Sequence, residues 1–288
     1  MMEAMDTVTT IGELRERLAA ERSAGRTVGF VPTMGYLHDG HASLVRAAAA
    51  ADDVVVVSIF VNPLQFAPGE DLDDYPRDLA RDSAVCAEAG AHIVFAPDVA
   101  EMYPRPVATS VSVDGISAPL EGRSRPTHFA GVATVVAKLF SIVGPCRAYF
   151  GEKDWQQVAV VTRMAADLSM PVEVVACPTG REPDGVAMSS RNVYLTPEER
   201  AEAPALRRAL DTGIALVEAG ETAPGVIEAA MAEVVDDATL GTLDYVAAVP
   251  ADTLVADGPL EGEVRLLVAV QFGRARLIDN DGCTTVLR

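Results

Sequence analysis

Short runs of apolar, β-branched residues alternate along this chain with longer stretches of helical periodicity, and that alternation restricts the fold more than any other feature. The strand-like runs are 27–31, 54–61, 92–96, 148–150 and 172–176. The helical stretches between and around them are 14–22, 42–50, 78–89, 131–143 and 156–169. The run 54–61 is apolar throughout except for Ser58 and Asp-Asp and Asn-Pro bound it, as expected of a strand buried on both faces. Strands alternating with helices over short connections predict a parallel sheet covered by helices on both sides. In such sheets ligands sit at the carboxyl ends of the strands.

The pattern changes near Thr179, where Thr-Gly-Arg-Glu-Pro-Asp-Gly is rich in turn formers. Two helical stretches follow, 197–219 and 223–237, then strand runs at 243–249, 264–271 and 275–279. The expected architecture is α/β: a Rossmann-like, nucleotide-binding parallel sheet domain over 1–179. A smaller C-terminal α+β domain over 180–288 is expected to close over the site.

Composition narrows the function classes. With 288 residues, 49% hydrophobic and 23% charged, the chain is globular, and its apolar runs fall short of the ~18 residues of a membrane span. A net charge of −19 disfavours nucleic acid and anionic membranes as partners. The first residues lack a signal-peptide pattern, so a cytoplasmic location is expected. The four cysteines are widely spaced and form no CxxC pair, which points to free thiols. Lysine occurs only at 138 and 153, which singles out Lys153 in its Gly-Glu-Lys-Asp setting.

Five segments carry candidate chemistry. In the first, Pro32-Thr-Met-Gly-Tyr-Leu-His38-Asp-Gly-His41, a strand runs through a glycine turn into a helix start. A helix start has unpaired N–H groups and a positive dipole end, which favour phosphate. His38 and His41, three apart, face the same way there; the residues alone leave open a plain capping role. Phe60-Val-Asn-Pro-Leu-Gln65-Phe places neutral amides at a strand end, suited to hydroxyls or a carboxylate. The acidic stretch from Asp71 to Asp82 offers carboxylates for Mg²⁺, or a solvated face. Gly151-Glu-Lys153-Asp154-Trp-Gln-Gln157 repeats the strand-end, helix-start arrangement. Asp184-Gly-Val-Ala-Met188-Ser189-Ser190-Arg191-Asn192 has hydroxyls and a guanidinium able to wrap phosphate oxygens.

Taken together and in this order, these strings resemble the pantothenate synthetase (pantoate–β-alanine ligase) family. That family lies within the nucleotidyltransferases of the His-x-Gly-His type. The resemblance implies ATP-dependent joining of pantoate to β-alanine through a pantoyl adenylate, with release of pyrophosphate and AMP, and Mg²⁺ as cofactor. It implies catalytic roles for His38, His41, Lys153, Ser189 and Arg191. It places Pro32, Met34, Gly151, Asp154, Gly180, Met188 and Ser190 with those groups around ATP. It implies pantoate binding by Met34, Gln65 and Gln157, an acidic Asp82 near the metal, and a homodimer. The sequence departs from the family pattern at Tyr36, where Ala is usual, and at Gly180, where an apolar residue often backs the adenine. Both changes fall beside the expected nucleotide pocket.

Overall fold

The computed structural model describes residues 5–67, 72 and 75–285. Asp71, Asp73 and Asp74, candidate metal carboxylates, lie outside the described residues. The chain divides into two compact units, Met1–Gly151 with Val160–Cys177, and Glu152–Ala159 with Pro178–Arg288.

The first unit runs β1 (Asp6–Val8), α1 (Ile11–Ser23), β2 (Val28–Thr33), α2 (Asp39–Ala51), β3 (Val54–Ile59), α3 (Leu79–Ala89) and β4 (Ile93–Phe95). It continues with α4 (Val99–Met102), α5 (Glu121–Ser124), α6 (His128–Val143), β5 (Cys146–Gly151), α7 (Trp155–Asp167) and β6 (Val172–Cys177). Helix α7 starts in the residues grouped with the second unit. The six strands pair in parallel in the order β1-β4-β3-β2-β5-β6. Order reverses at β2, which pairs with β3 from Val28↔Val54 to Thr33↔Ile59 and with β5 at Gly29↔Arg147. The switch point where α/β sheets take ligands is therefore at the carboxyl end of β2. The apolar run in β3 is buried from Val54 to Val57, as a strand covered on both faces requires. Helix α6 buries eleven of its sixteen residues, which makes it an internal helix without a solvent face of any width.

The second unit adds α8 (Pro197–Glu202), α9 (Ala205–Glu218), α10 (Pro224–Asp236) and the strands β7 (Gly241–Pro250), β8 (Glu263–Phe272) and β9 (Ala275–Thr284). The strands form an antiparallel sheet in the order β7-β8-β9, against which α9 and α10 pack. Leu206, Leu210, Ile227 and Met231 meet Leu266, Val268 and Phe272 in its core.

Three features differ from the sequence expectations. The helix expected over 197–219 is broken between α8 and α9, because Pro204 lacks the N–H that would continue the first helix. Strand β9 continues through Asp279-Asn280-Asp281 to Thr284, past the polar residues that ended the expected run. Finally, residues 152–159 belong to the second unit and not to the sheet domain expected over 1–179. Among the described residues no helix is long and apolar enough to cross a membrane.

Candidate active site

In the first unit, the turn after β2 is built by one buried carboxylate. Asp82, in the first turn of α3, is 1% exposed and accepts the N–H groups of Tyr36 and Leu37, each at 2.8 Å. Tyr36 is held in the left-handed region at φ +51°, following Gly35 at φ +87°. Left-handed backbone costs a non-glycine residue about 1–2 kcal/mol. Hydrogen bonds to a charged acceptor contribute about 1.5–3 kcal/mol each, so the pair on Asp82 outweighs that strain. Leu37 anchors the turn in the core, and the Arg81 guanidinium lies 4.9 Å from the Tyr36 ring centre. Both Asp82 oxygens hold the backbone, and among the described residues no group of three or more His, Cys, Asp or Glu is arranged to hold a metal.

The turn delivers His38 to the N-cap of α2. Its Nδ1 accepts the Gly40 N–H at 3.2 Å, and the Nδ1 of His41 accepts the His38 N–H at 3.4 Å. The two histidines form a reciprocal capping box, the arrangement more often made by Ser or Thr with Glu. The rings stand 4.1 Å apart, tilted by 44°. A nitrogen that accepts a backbone N–H carries no proton itself, so each neutral ring keeps its proton on Nε2. In this pair the Nδ1 atom of each ring serves the helix start.

The second candidate segment forms a 3-10 turn, Pro63–Gln65, capped by Asn62. Asn62 is 1% exposed and its amide is fully used. Its Nδ2 donates to Gly131 O and Gln65 Oε1, both at 3.2 Å. Its Oδ1 accepts the Leu64 N–H at 3.3 Å and the Tyr103 hydroxyl at 2.9 Å. Backbone partners on both sides fix which end of Asn62 is the oxygen, and Asn62 then fixes Gln65. The Gln65 oxygen must face Asn62, and its Nε2 lies 2.9 Å from the Met34 sulfur. The Gln65 carbonyl accepts from Arg125 Nη2 at 3.3 Å and lies 3.1 Å from His128 Nδ1. Helix α6 reaches this turn only because residue 131 is glycine: a Cβ there would stand 2.2 Å from the Leu64 oxygen. Burial pushes the Tyr103 hydroxyl up to about 12, so it stays a protonated donor to Asn62. Pro32 lies in β2 opposite Ser58, and Gly151 ends β5 opposite Cys177.

The remaining candidates gather in the second unit. Lys153 lies in a 3-10 turn, Glu152–Asp154, and its ammonium is 3.5 Å from the exposed Asp154 carboxylate. It lines a cleft with Ser189, Arg191, Asn192, Arg276 and Asp279. Ser189 caps the 3-10 turn Ser190–Tyr194 by accepting the Arg191 N–H at 3.3 Å, and Arg191 is exposed. The Gly180 carbonyl accepts the Met188 N–H at 2.9 Å, so these two residues sit at the neck of the loop. Gln157 is half-buried in the first turn of α7. Segment 152–159 is tied into this unit by several contacts. Asn280 binds the Glu152 and Lys153 carbonyls, and Trp155 Nε1 donates to Ala251 O at 2.9 Å. Arg265 lies 3.5 Å from the centre of the Trp155 ring and 3.2 Å from the Glu152 carboxylate. Sequence reasoning offered the Asn62 amide to a ligand, where it braces Gln65, and missed Tyr103, Arg181, Asp279 and Asn280. Only the last two left a signal, as polar residues interrupting an apolar strand pattern.

A parallel sheet whose strand order reverses at β2, with a helix starting just beyond that strand, defines an α/β protein of the ligand-binding class. Residues 6–281 match the family described as pantoate-beta-alanine ligase. The pantothenate synthetase of Sinorhizobium medicae is 54% identical over 277 residues, 96% of this chain and 95% of that protein. That of Moorella thermoacetica is 52% identical over 276 residues, 96% and 98% of the two chains. The crystal structure of the Thermus thermophilus enzyme superposes with a TM-score of 0.90 at 52% identity, covering 96% of this chain and 99% of that one. A Francisella tularensis pantoate-beta-alanine ligase, solved with β,γ ATP and β-alanine, gives a TM-score of 0.77 at 33% identity, with 96% and 97% covered. The chain belongs to the pantoate-beta-alanine ligase family and is an enzyme of that kind.

Proposed function

We propose that this enzyme condenses pantoate with β-alanine at the expense of ATP, through a pantoyl adenylate. A pantoate carboxylate oxygen attacks the α-phosphorus, the bond to the β-phosphate breaks, and pyrophosphate leaves. The β-alanine amine then attacks the acyl carbon, the acyl–phosphate bond breaks with loss of the amine proton, and AMP leaves. The observation that carries this reading is the histidine capping box at the start of α2. His38 and His41 accept backbone N–H groups through Nδ1 at a helix N-terminus, a position that suits charge stabilisation at phosphorus better than proton abstraction.

In this reading His38 and His41 meet phosphate oxygens, with Pro32 and Met34 lining the nucleotide and Gly151 near the ribose. Gln65 donates from Nε2 to a pantoate oxygen beside Met34, and a neutral amide there selects a hydroxy acid over a phosphorylated substrate. Lys153, Ser189, Ser190 and Arg191 hold β- and γ-phosphate oxygens. Asp154 lies toward the ribose, Gly180 and Met188 toward the adenine, and Gln157 on pantoate. Mg²⁺ enters with the nucleotide, held by phosphate oxygens and water, with Asp82 on the acidic side of the site. We also assign a cytoplasmic location and a homodimer. The exposed extended stretch 104–110, with Val107 42% exposed, is a surface a second copy would cover.

The test is substrate dependence. Pyrophosphate release from ATP is expected only with pantoate present, and AMP with pantothenate only when β-alanine is added. Pyrophosphate release independent of pantoate would overturn the assignment.

A further inference from the structure

Asp279 and Asn280 are neighbours on β9, the edge strand of the second unit's sheet, where successive side chains leave the strand on opposite faces. Each is 3% exposed, although neither is a residue that strand cores favour. Asn280 Nδ2 donates to the Glu152 carbonyl at 2.9 Å and to the Lys153 carbonyl at 2.7 Å. One amide thereby fixes two successive peptide groups of the turn that bears Lys153. Asp279 receives Arg181 in a two-pronged pair, Nη1 at 2.6 Å and Nη2 at 3.1 Å. Arg181 Nη1 also donates to the Gly185 carbonyl at 3.0 Å, and Arg181 bridges to Ala187, so this guanidinium closes the hairpin that leads directly into Met188–Arg191.

Stability alone does not call for this arrangement. A buried ion pair is often matched or bettered by apolar residues of similar volume, and the Asn280 Oδ1 is buried with no partner among the described residues. What the two residues do achieve is spacing. One grips the chain at Lys153, the other grips the base of the Ser189–Arg191 turn, and Lys153, Ser189, Arg191 and Asp279 border the same cleft.

We propose that Asp279 and Asn280 are positioning residues for nucleotide activation, a two-residue gauge on β9 that sets Lys153 against the Ser189–Arg191 turn. The inference rests on the reading that Lys153 and this turn hold the triphosphate. A displacement of about 1 Å at a phosphate ligand is enough to cost roughly 100-fold in rate.

The experiment uses the full-length enzyme with ATP and pantoate, reading single-turnover pyrophosphate release per folded site, with folding checked by circular dichroism. Asn280→Ala and Asp279→Asn are expected to slow adenylate formation about 10- to 100-fold and to raise the KM for ATP. Lys153→Ala is expected to be at least as slow. Adding Asn280→Ala to it should change the rate within about twofold, because residues acting through one another are not additive. Should Asn280→Ala not fold, Asn280→Asp keeps the shape, turns an acceptor on the two carbonyls, and must show the same loss. A normal rate in Lys153→Ala would overturn the phosphate assignment and the gauge with it. A slow Lys153→Ala beside near-normal Asn280 variants, or fully additive losses, would overturn the gauge alone.

Discussion

Replacing Asp82 by Asn separates a structural brace from a metal ligand. The substitution keeps the volume and removes the charge. An asparagine oxygen accepts one of the two N–H groups now bound at 2.8 Å, and its NH₂ group meets the other head-on. One charge-assisted bond worth about 1.5–3 kcal/mol is lost, and a buried donor is stranded at a further cost of about 1–3 kcal/mol. Tyr36, at φ +51°, then keeps its strain of about 1–2 kcal/mol with less to offset it. The turn should open more easily by about 3–5 kcal/mol, more than a hundredfold in its opening equilibrium. Amide hydrogen exchange at Tyr36 and Leu37 reads that change directly, and adenylate formation should fall because the same turn sets the His38 cap. If Asp82 served Mg²⁺ instead, exchange at these two amides would be unchanged while the Mg²⁺ requirement rose. That pair of results would refute the brace.

Two further outcomes follow from the packing. Gly131→Ala should destabilise the protein by about 3 kcal/mol, since its Cβ would overlap the Leu64 oxygen at 2.2 Å, and should raise the KM for pantoate by displacing Gln65. A urea midpoint and pantoate KM both near those of the parent would contradict the close contact. Burial raises the Cys86 thiol from its ordinary 9.0, and the Tyr103 hydroxyl from 10.0, to about 12 each, so the folded state holds both protons more tightly than the unfolded chain. Their contribution is complete below about pH 9 and is lost as pH rises toward 12, so the urea midpoint should fall steadily over that range. A flat or rising midpoint would refute it.

Much of the sheet was legible because its strands are buried on both faces and read as unbroken apolar runs. Strand β1 was not: three residues with one buried give no periodicity to detect. The break at Pro204 was visible in principle, but the helical pattern on either side masked it. The end of β9 was misread for a physical reason. Asp279-Asn280-Asp281 has poor strand propensity, and each side chain is stabilised by a partner distant in sequence: Arg181, the Glu152 and Lys153 carbonyls, and Arg207. The site shows the same division. Motif residues that face a ligand, such as His38, Gln65 and Lys153, are recognisable because few chemistries use them in that order. Tyr103 and Asp82 brace the motif turns from positions distant in sequence, so that bracing role left no local signal.

The contacts that place residues 152–159 in the second unit also limit how this enzyme can be taken apart or recombined. A chimera joined at a single crossover near Cys177 would bring together a Lys153 turn from one parent and a β9 from the other. Two carbonyl acceptors, an indole and a carboxylate would then have to find matching partners in a sheet that did not evolve with them. A functional exchange of the C-terminal portion therefore needs three crossovers, one on each side of this eight-residue insert and one before Pro178, so that the short segment travels with the strand that grips it.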